Sequence, residues 1–308
     1  MRRAVTARAA AAAVAASCAL TAAGCSTAAQ QPAASRPGVL DVVAAENFWG
    51  SIAAQIGGAH ASVTSIITNP NADPHAYEPT AATARVIARA QVVVINGAGY
   101  DTWAGKLLAA DAGRRQVVDA GRLLGLGAGA NPHLWYDPAY VATVETALVE
   151  SFSRLDPTDA GYFHRQRDRF DSVALRRYHQ LLSEIRAKYR GTPVGASESV
   201  FAPLASALSL DLVTPASFLR AVSEGSDPSA ADKATIDRQI RTHAIRIYVY
   251  NRQNTTPDVQ AQLAGCRAAG IPTVAITETL APAGATYQAW QAGQLARILA
   301  ALEKAGPA

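Results

Sequence analysis

The sequence predicts an α/β protein, and three observations carry that expectation. Short apolar runs suited to strands alternate with helical stretches from residue 40 onward. About 270 residues lie beyond a polar N-terminal segment, enough for two domains of ordinary size. Thr158–Tyr189 contains no proline and has a glycine only in its first turn. As a helix it would run roughly 48 Å, the length of a two-domain protein.

Leu40–Ala44 is the first predicted strand, followed by a helix over Asn47–Ile56. Val63–Ile67 is a second strand, and Thr80 caps a helix that reaches Ala90. Val92–Ile95 is apolar throughout, as expected of a strand covered on both faces. Trp103–Ala110 reads as helix and Gln116–Val118 as strand. Asp137-Pro138 opens a helix with a cap and a proline at its first position, and Val141, Val144, Leu148, Phe152 and Leu155 form its apolar stripe. In the long helix Phe163, Phe170, Ala174, Tyr178, Leu181 and Ile185 recur at helical spacing, and Gly191-Thr192-Pro193 stops it. The second half repeats the logic, with strands at Pro193–Ala196, Leu210–Val213, Ile245–Tyr250 and Thr273–Ile276. Helices are expected between them, notably after Asp227-Pro228 and Thr256-Pro257, and Gly284–Lys304 closes the chain as a helix.

The first 24 residues carry Arg2, Arg3 and Arg8 and then an apolar run from Ala9 to Leu20, too short to span a bilayer. This is the layout of a secretory signal peptide. Thr21-Ala22-Ala23-Gly24-Cys25 resembles a bacterial lipoprotein cleavage site, except that Ala22 stands where leucine is usual. Cys25 is the expected lipidation site, and Ser26–Pro37 reads as a tether between anchor and domain. Without the leader the chain has 25 basic and 24 acidic residues, a net charge of +1, so nothing in its charge argues for nucleic acid. With Cys18 removed and Cys25 acylated, Cys266 has no partner for a disulfide and is expected to pack as a small apolar residue.

Two segments carry the chemistry. His75 lies in Asn69-Pro70-Asn71-Ala72-Asp73-Pro74-His75-Ala76-Tyr77-Glu78-Pro79, held between prolines on a stiff loop. Fifty-eight residues later His133 lies in Asn131-Pro132-His133-Leu134-Trp135-Tyr136-Asp137-Pro138. One Pro-His loop is an ordinary surface turn; two in matching context read as two jaws of one metal site.

These segments resemble those of the substrate-binding lipoproteins of ABC importers for zinc and manganese, and the resemblance runs over roughly residues 39–305. It implies two parallel-sheet α/β lobes joined by one long backbone helix, with the ligand between the lobes. The expected boundaries are 1–24 for the signal peptide, 25–38 for the lipid anchor and tether, 39–156 for the N-terminal lobe, 157–190 for the linking helix and 191–308 for the C-terminal lobe. It implies metal ligands at His75 and His133, a third at Glu198 in Gly195-Ala196-Ser197-Glu198-Ser199, and a fourth at Glu278 in Thr277-Glu278-Thr279. The family usually has aspartate at the fourth position, so Glu278 is one methylene longer. Asn251, at the end of Tyr248-Val249-Tyr250, is the candidate partner that orients the ligands. Trp135 and Tyr77 either wall the site or belong to the core.

Two imidazoles and two carboxylates suit Zn2+ or Mn2+, with no catalytic cofactor. The expected partners are the divalent ion, an ABC importer permease and the membrane through the lipid on Cys25, with the protein a monomer on the extracytoplasmic face. His60, His164, His179 and His243 read as structural or solvated. Zinc-specific members often carry a histidine-rich loop between the first two ligands, whereas residues 76–132 contain no histidine. The competing functions are a zinc-dependent hydrolase, a surface adhesin with a structural metal, and a binder of organic ligands such as siderophores. No His-Glu-x-x-His helix supports the hydrolase, and no particular residue supports the adhesin.

Overall fold

The computed structural model describes residues 38–306 apart from 72 and 112. The expected leader and tether, with Cys25, lie outside the described residues. Two four-stranded parallel sheets share one topology. In the first, β1 (Leu40–Glu46), β2 (Ala61–Ile67), β3 (Val92–Ile95) and β4 (Gln116–Asp119) are ordered β2-β1-β3-β4. In the second, β5 (Pro193–Ala196), β6 (Asp211–Leu212), β7 (Tyr248–Asn251) and β8 (Thr273–Ile276) are ordered β6-β5-β7-β8. Each sheet therefore reverses direction at its first strand, and crevices beyond the carboxyl ends of β1/β3 and β5/β7 are where open α/β sheets bind ligands.

Side chains alternate across the strands. Val42, Ala44, Val92 and Val94 face a core that runs through both lobes, while Val43, Ala45, Val93 and Ile95 pack outward beneath the helices Ala81–Arg89 and Thr102–Ala110. The shared core holds Phe48, Trp49, Trp135, Phe152, Phe163, Tyr178, Phe201, Tyr287 and Trp290. Polar contacts cross the lobes within it. Tyr287 donates its hydroxyl to Trp135 O at 2.7 Å, Leu280 N donates to Asn47 Oδ1 at 3.1 Å, and the Gln55 and Gln288 amides exchange bonds of 3.0 and 2.7 Å.

Helix starts follow their local signals. Thr80 accepts from Thr83 N, Asp137 from Ala139 N and Tyr140 N, and Thr256 from Val259 N. Two predicted strands are trimmed: Leu210–Val213 keeps only Asp211–Leu212, and Ile245–Tyr250 becomes Tyr248–Asn251. Ile245 and Ile247 are buried just before the strand, where Arg246 N donates to Pro193 O at 2.9 Å and Ile247 O accepts from Gly195 N at 3.0 Å, so the segment runs into β7 from the core. The last helix begins at Tyr287, capped by Thr286, not at Gly284.

The linking helix runs where expected but is not α-helical throughout. Ala160–Arg169 is followed by a π-helical turn, Phe170–Ala174, and by Arg176–Tyr189. Leu175 N bonds Phe170 O at 2.9 Å, five residues back. The extra residue advances the stripe by one: Leu175 is buried at 3% exposure, and Ala174, placed in the stripe by α-periodicity, is only partly buried. Leucine covers more core than alanine could, which rewards the wider turn. Among the described residues no helix is long and apolar enough to cross a membrane. Cys266 is a free, fully buried cysteine packed with Phe218, Ile240 and Tyr248, as expected of a small apolar side chain.

Candidate metal centre

Four of the five site residues stand at the carboxyl end of a strand or in the loop that follows, and His133 lies in the loop after the short helix Ala120–Leu123. His75 follows β2 in a short helical turn, where Asp73 accepts from His75 N at 2.9 Å. His133 precedes the turn Leu134–Tyr136. Glu198 lies two residues beyond β5, Asn251 ends β7 and Glu278 lies two residues beyond β8. Donor atoms of His75, His133 and Glu278 all lie within 4.8 Å of one another. Glu278 Oε2 is 3.3 Å from His75 Nε2 and 3.5 Å from His133 Nε2. Glu198 is not in that group; its carboxylate is bound instead by Asn251 and Asn254.

The tautomer of His133 is fixed by its neighbour. Asn131 Oδ1 accepts from His133 N at 3.1 Å and lies 2.7 Å from His133 Nδ1. Asn131 Nδ2 donates to Ser199 O of the other lobe at 2.8 Å, so the amide cannot be reversed. Nδ1 therefore carries the hydrogen, and the neutral ring presents a bare lone pair on Nε2. That nitrogen is fully buried and has no hydrogen-bond partner among the described residues. Trp135 stands edge-on to the ring, with centroids 5.3 Å apart.

Glu278 is 1% exposed and braced on every side. Tyr100 donates its hydroxyl to Oε2 at 2.8 Å, Asn251 Nδ2 donates to Oε1 at 2.7 Å, and the backbone N donates to Gln253 Oε1 at 2.6 Å. Tyr100 is delivered by a left-handed turn over Gly97, Ala98 and Gly99, and a Cβ on Gly97 would lie 2.1 Å from Asp119 Oδ1. Asp101 ties that turn down by accepting from Asn96 N and Gly97 N.

The charges pull in opposite directions. Burial would raise the Glu278 carboxyl, but the imidazoles of His133 and His75 outweigh it and hold Glu278 below the usual carboxylate range. Burial and the Glu278 charge push Glu198 up to about 8. Burial lowers His133 further than Glu278 raises it. Burial also acts to lower His75, but Glu278 beside it wins and the imidazole is raised. The His75 side chain is 30% exposed, whereas His133 and Glu278 are sealed, so the opening to solvent lies on the His75 side.

Tyr100, Gln253 and Asn254 stand in no motif of the sequence, and Asn131 stands there only as part of the second Pro-His segment. Trp135 does wall the site, while Tyr77 packs on Trp103 and bonds Thr83, away from the donors. His60 Nδ1 lies 2.8 Å from Asp159 Oδ2, near Asp156, which caps the adjacent turn.

The family model for the zinc-uptake complex component A periplasmic proteins, ZnuA, matches residues 42–301. The chain belongs to the ZnuA family. A protein of Treponema pallidum (strain Nichols) described as metal-binding is 24% identical over 170 residues, 49% of this chain and 52% of that protein. The chain thus spans about half the length of that curated relative. Among solved structures, the cadmium-bound periplasmic metal-binding protein of Candidatus Liberibacter asiaticus has a TM-score of 0.71 at 16% identity, over 85% of this chain and 99% of that one. Its manganese-bound form gives 0.72 at the same identity and coverage. A mutant of the laminin-binding adhesin Lmb from Streptococcus agalactiae gives 0.69 at 19% identity, again over 85% and 99%. All three share the fold of this ZnuA-family chain: two parallel α/β lobes on a helical backbone.

Proposed function

We propose that this protein is an extracytoplasmic solute-binding protein that captures a divalent transition metal ion, Zn2+ or Mn2+, and hands it to the permease of an ABC importer, without turnover of its own. One observation carries the reading: the bare, buried Nε2 of His133 is aimed at the Glu278 carboxylate and His75. A buried nitrogen lone pair facing a carboxylate has no favourable partner in the protein alone, and a cation between them satisfies all three groups. The neutral imidazole nitrogens of His75 and His133 and the oxygens of Glu278 would hold the ion, with the Glu198 carboxylate as the fourth ligand. Nitrogen and oxygen donors without thiolate suit Zn2+ and Mn2+. Family membership and the cadmium- and manganese-bound neighbours support this choice of cargo. A lipid on Cys25 would tether the protein to the membrane, with residues 39–156 and 191–308 as lobes on either side of the 157–190 helix.

Equilibrium titration of the metal-free protein with Zn2+ or Mn2+ alone tests the reading. One ion should bind per chain, and His75→Ala or His133→Ala should each weaken binding by more than the roughly 100-fold typical of losing an outer partner of a ligand. Unchanged affinity in either variant would remove that histidine from the site. Cys25→Ala should move the protein from the membrane fraction to the soluble one.

A further inference from the structure

Glu46 ends β1 and is fully buried, outside the cluster formed by His75, His133 and Glu278. Ala44 pairs with Val94 in the parallel ladder, so Glu46, two residues on, stands level with Asn96. Among the described residues no N–H or O–H group donates to either oxygen of its carboxyl. The group it meets is the carboxyl of Asp101, which is buried as well. Asp101 already has donors: Oδ2 accepts from Asn96 N at 2.6 Å and Oδ1 from Gly97 N at 2.8 Å. Two buried carboxylates repel unless a proton lies between them. Asp101 has two N–H groups to stabilise its charge and Glu46 has none, so the shared proton resides on Glu46, whose hydroxyl donates to Asp101. Burial and the nearby Asp101 raise the Glu46 carboxyl well above the ordinary glutamate range, while burial pushes Asp101 only to about 6.

Asp101 holds a strained turn. Gly97, Ala98 and Gly99 have φ of 67°, 50° and 87°, and an alanine at such an angle is uncommon. Asp101 stands before the helix Thr102–Ala110, yet its side chain makes no cap there and turns back to Asn96 and Gly97 instead. The turn delivers Tyr100, whose hydroxyl donates to Glu278 Oε2 at 2.8 Å. On the other side of that contact Asn47 Oδ1 accepts from Leu280 N at 3.1 Å, two residues beyond Glu278. Consecutive residues at the end of β1 thus brace both partners, Glu46 through Asp101 and Asn47 directly. We propose that Glu46 is a positioning residue: held as a neutral acid, it donates its proton to Asp101, fixes the turn over Gly97–Gly99 and so keeps Tyr100 on Glu278. Its effect on the ion rests on the metal-binding reading above; the proton on Glu46 does not. An ionised Glu46 would act differently, attracting a cation through space, and a neutral isostere separates the two roles.

The test is titration of the metal-free protein with Zn2+ in wild type, Glu46→Gln, Glu46→Leu, Tyr100→Phe and the double variant of the last two. Tyr100→Phe removes a partner of a ligand and should weaken binding by about 10–100-fold. Glu46→Leu, similar in size but without a donor, should weaken it by about tenfold, and Glu46→Gln, whose amide still donates to Asp101, by less than about threefold. In the Tyr100→Phe background Glu46→Leu should add less than about twofold, because its route to the ion is already cut. Infrared difference spectra of wild type against Glu46→Gln at neutral pH read the proton itself: the carbonyl stretch of a protonated carboxylic acid should appear in wild type and be missing from the variant. That measurement needs no metal and decides the matter with Glu46→Gln even if Glu46→Leu does not fold. A merely structural role would leave the Glu46→Leu loss undiminished in Tyr100→Phe, and that outcome overturns the proposal. So does a loss of about tenfold in Glu46→Gln, or a wild-type spectrum without the acid band. If His133→Ala binds Zn2+ as tightly as wild type, the metal-binding reading itself fails, whereas the acid band still reports on Glu46.

Discussion

The Nδ1 of His133 lies 2.7 Å from Asn131 Oδ1, two residues earlier in the chain, and this short contact decides which face of the imidazole is free. Because Asn131 also donates to Ser199 O, the orientation of a first-lobe histidine depends on a backbone carbonyl of the second lobe. Asn131→Ala should therefore weaken metal binding by about 10–100-fold while leaving the fold intact. Asn131→Asp should recover part of the loss, since it keeps the acceptor for Nδ1–H but gives up the bond to Ser199. Calorimetric titration of both variants checks the order.

Metal affinity should fall with pH, with His75 responding first. Glu278 raises its imidazole above the ordinary value despite burial, so the proton is retained to higher pH in the metal-free protein and must leave when the ion binds. Affinity is then full above the raised His75 value and declines as pH falls through it, towards tenfold per pH unit. His133, lowered by burial, adds its own proton only at lower pH, where the slope steepens. Titrations across about pH 5 to 8 in buffers of different ionisation enthalpy count the released protons.

Glu145 offers a stability prediction away from the site. It is 2% exposed, its Oε2 lies 3.4 Å from Arg167 Nε, and burial pushes its carboxyl up to about 7 against the pull of Arg167. The folded protein binds a proton there that the unfolded chain releases at lower pH. The group's contribution thus falls as pH rises from the ordinary glutamate value to about 7, and is flat above it. Glu145→Gln should raise the stability of the metal-free protein at pH 8 by about 1–3 kcal/mol and have little effect near pH 4. Denaturant unfolding at the two pH values decides it.

Metal binding should not close the lobes like a clamshell. Tyr287 to Trp135, Leu280 to Asn47 and the paired Gln55 and Gln288 amides join the lobes within one apolar core. Wide opening would expose that core and break each of these bonds. Ordering is expected instead in the His75 loop, which is tied to the second lobe by Arg252 to Asn71 Oδ1 at 3.1 Å and Thr279 Oγ1 to Asn69 O at 3.3 Å. Solution scattering with and without metal should give the same radius of gyration, while hydrogen exchange slows over residues 69–79.

The sequence alone determined what depends on neighbours along the chain. The caps at Thr80, Asp137 and Thr256 act within three residues, and apolar periodicity reports which face of a helix or strand is buried. The two Pro-His loops, being rigid local motifs, marked His75 and His133, and resemblance added Glu198 and Glu278. Tertiary structure decided what depends on residues far apart. Tyr100 meets Glu278 across 178 residues, and Asn254 meets Glu198 across 56, contacts that no local pattern encodes. Burial of Leu175 in place of Ala174 depends on the space left by the other elements, so the π-helical turn was invisible to a 3.6-residue repeat. The ends of the sheet at Val213 and Ile247 could not be read from apolarity either: single backbone bonds still reach β5, from Val213 N to Val194 O at 3.1 Å and from Gly195 N to Ile247 O at 3.0 Å, but the ladder goes no further.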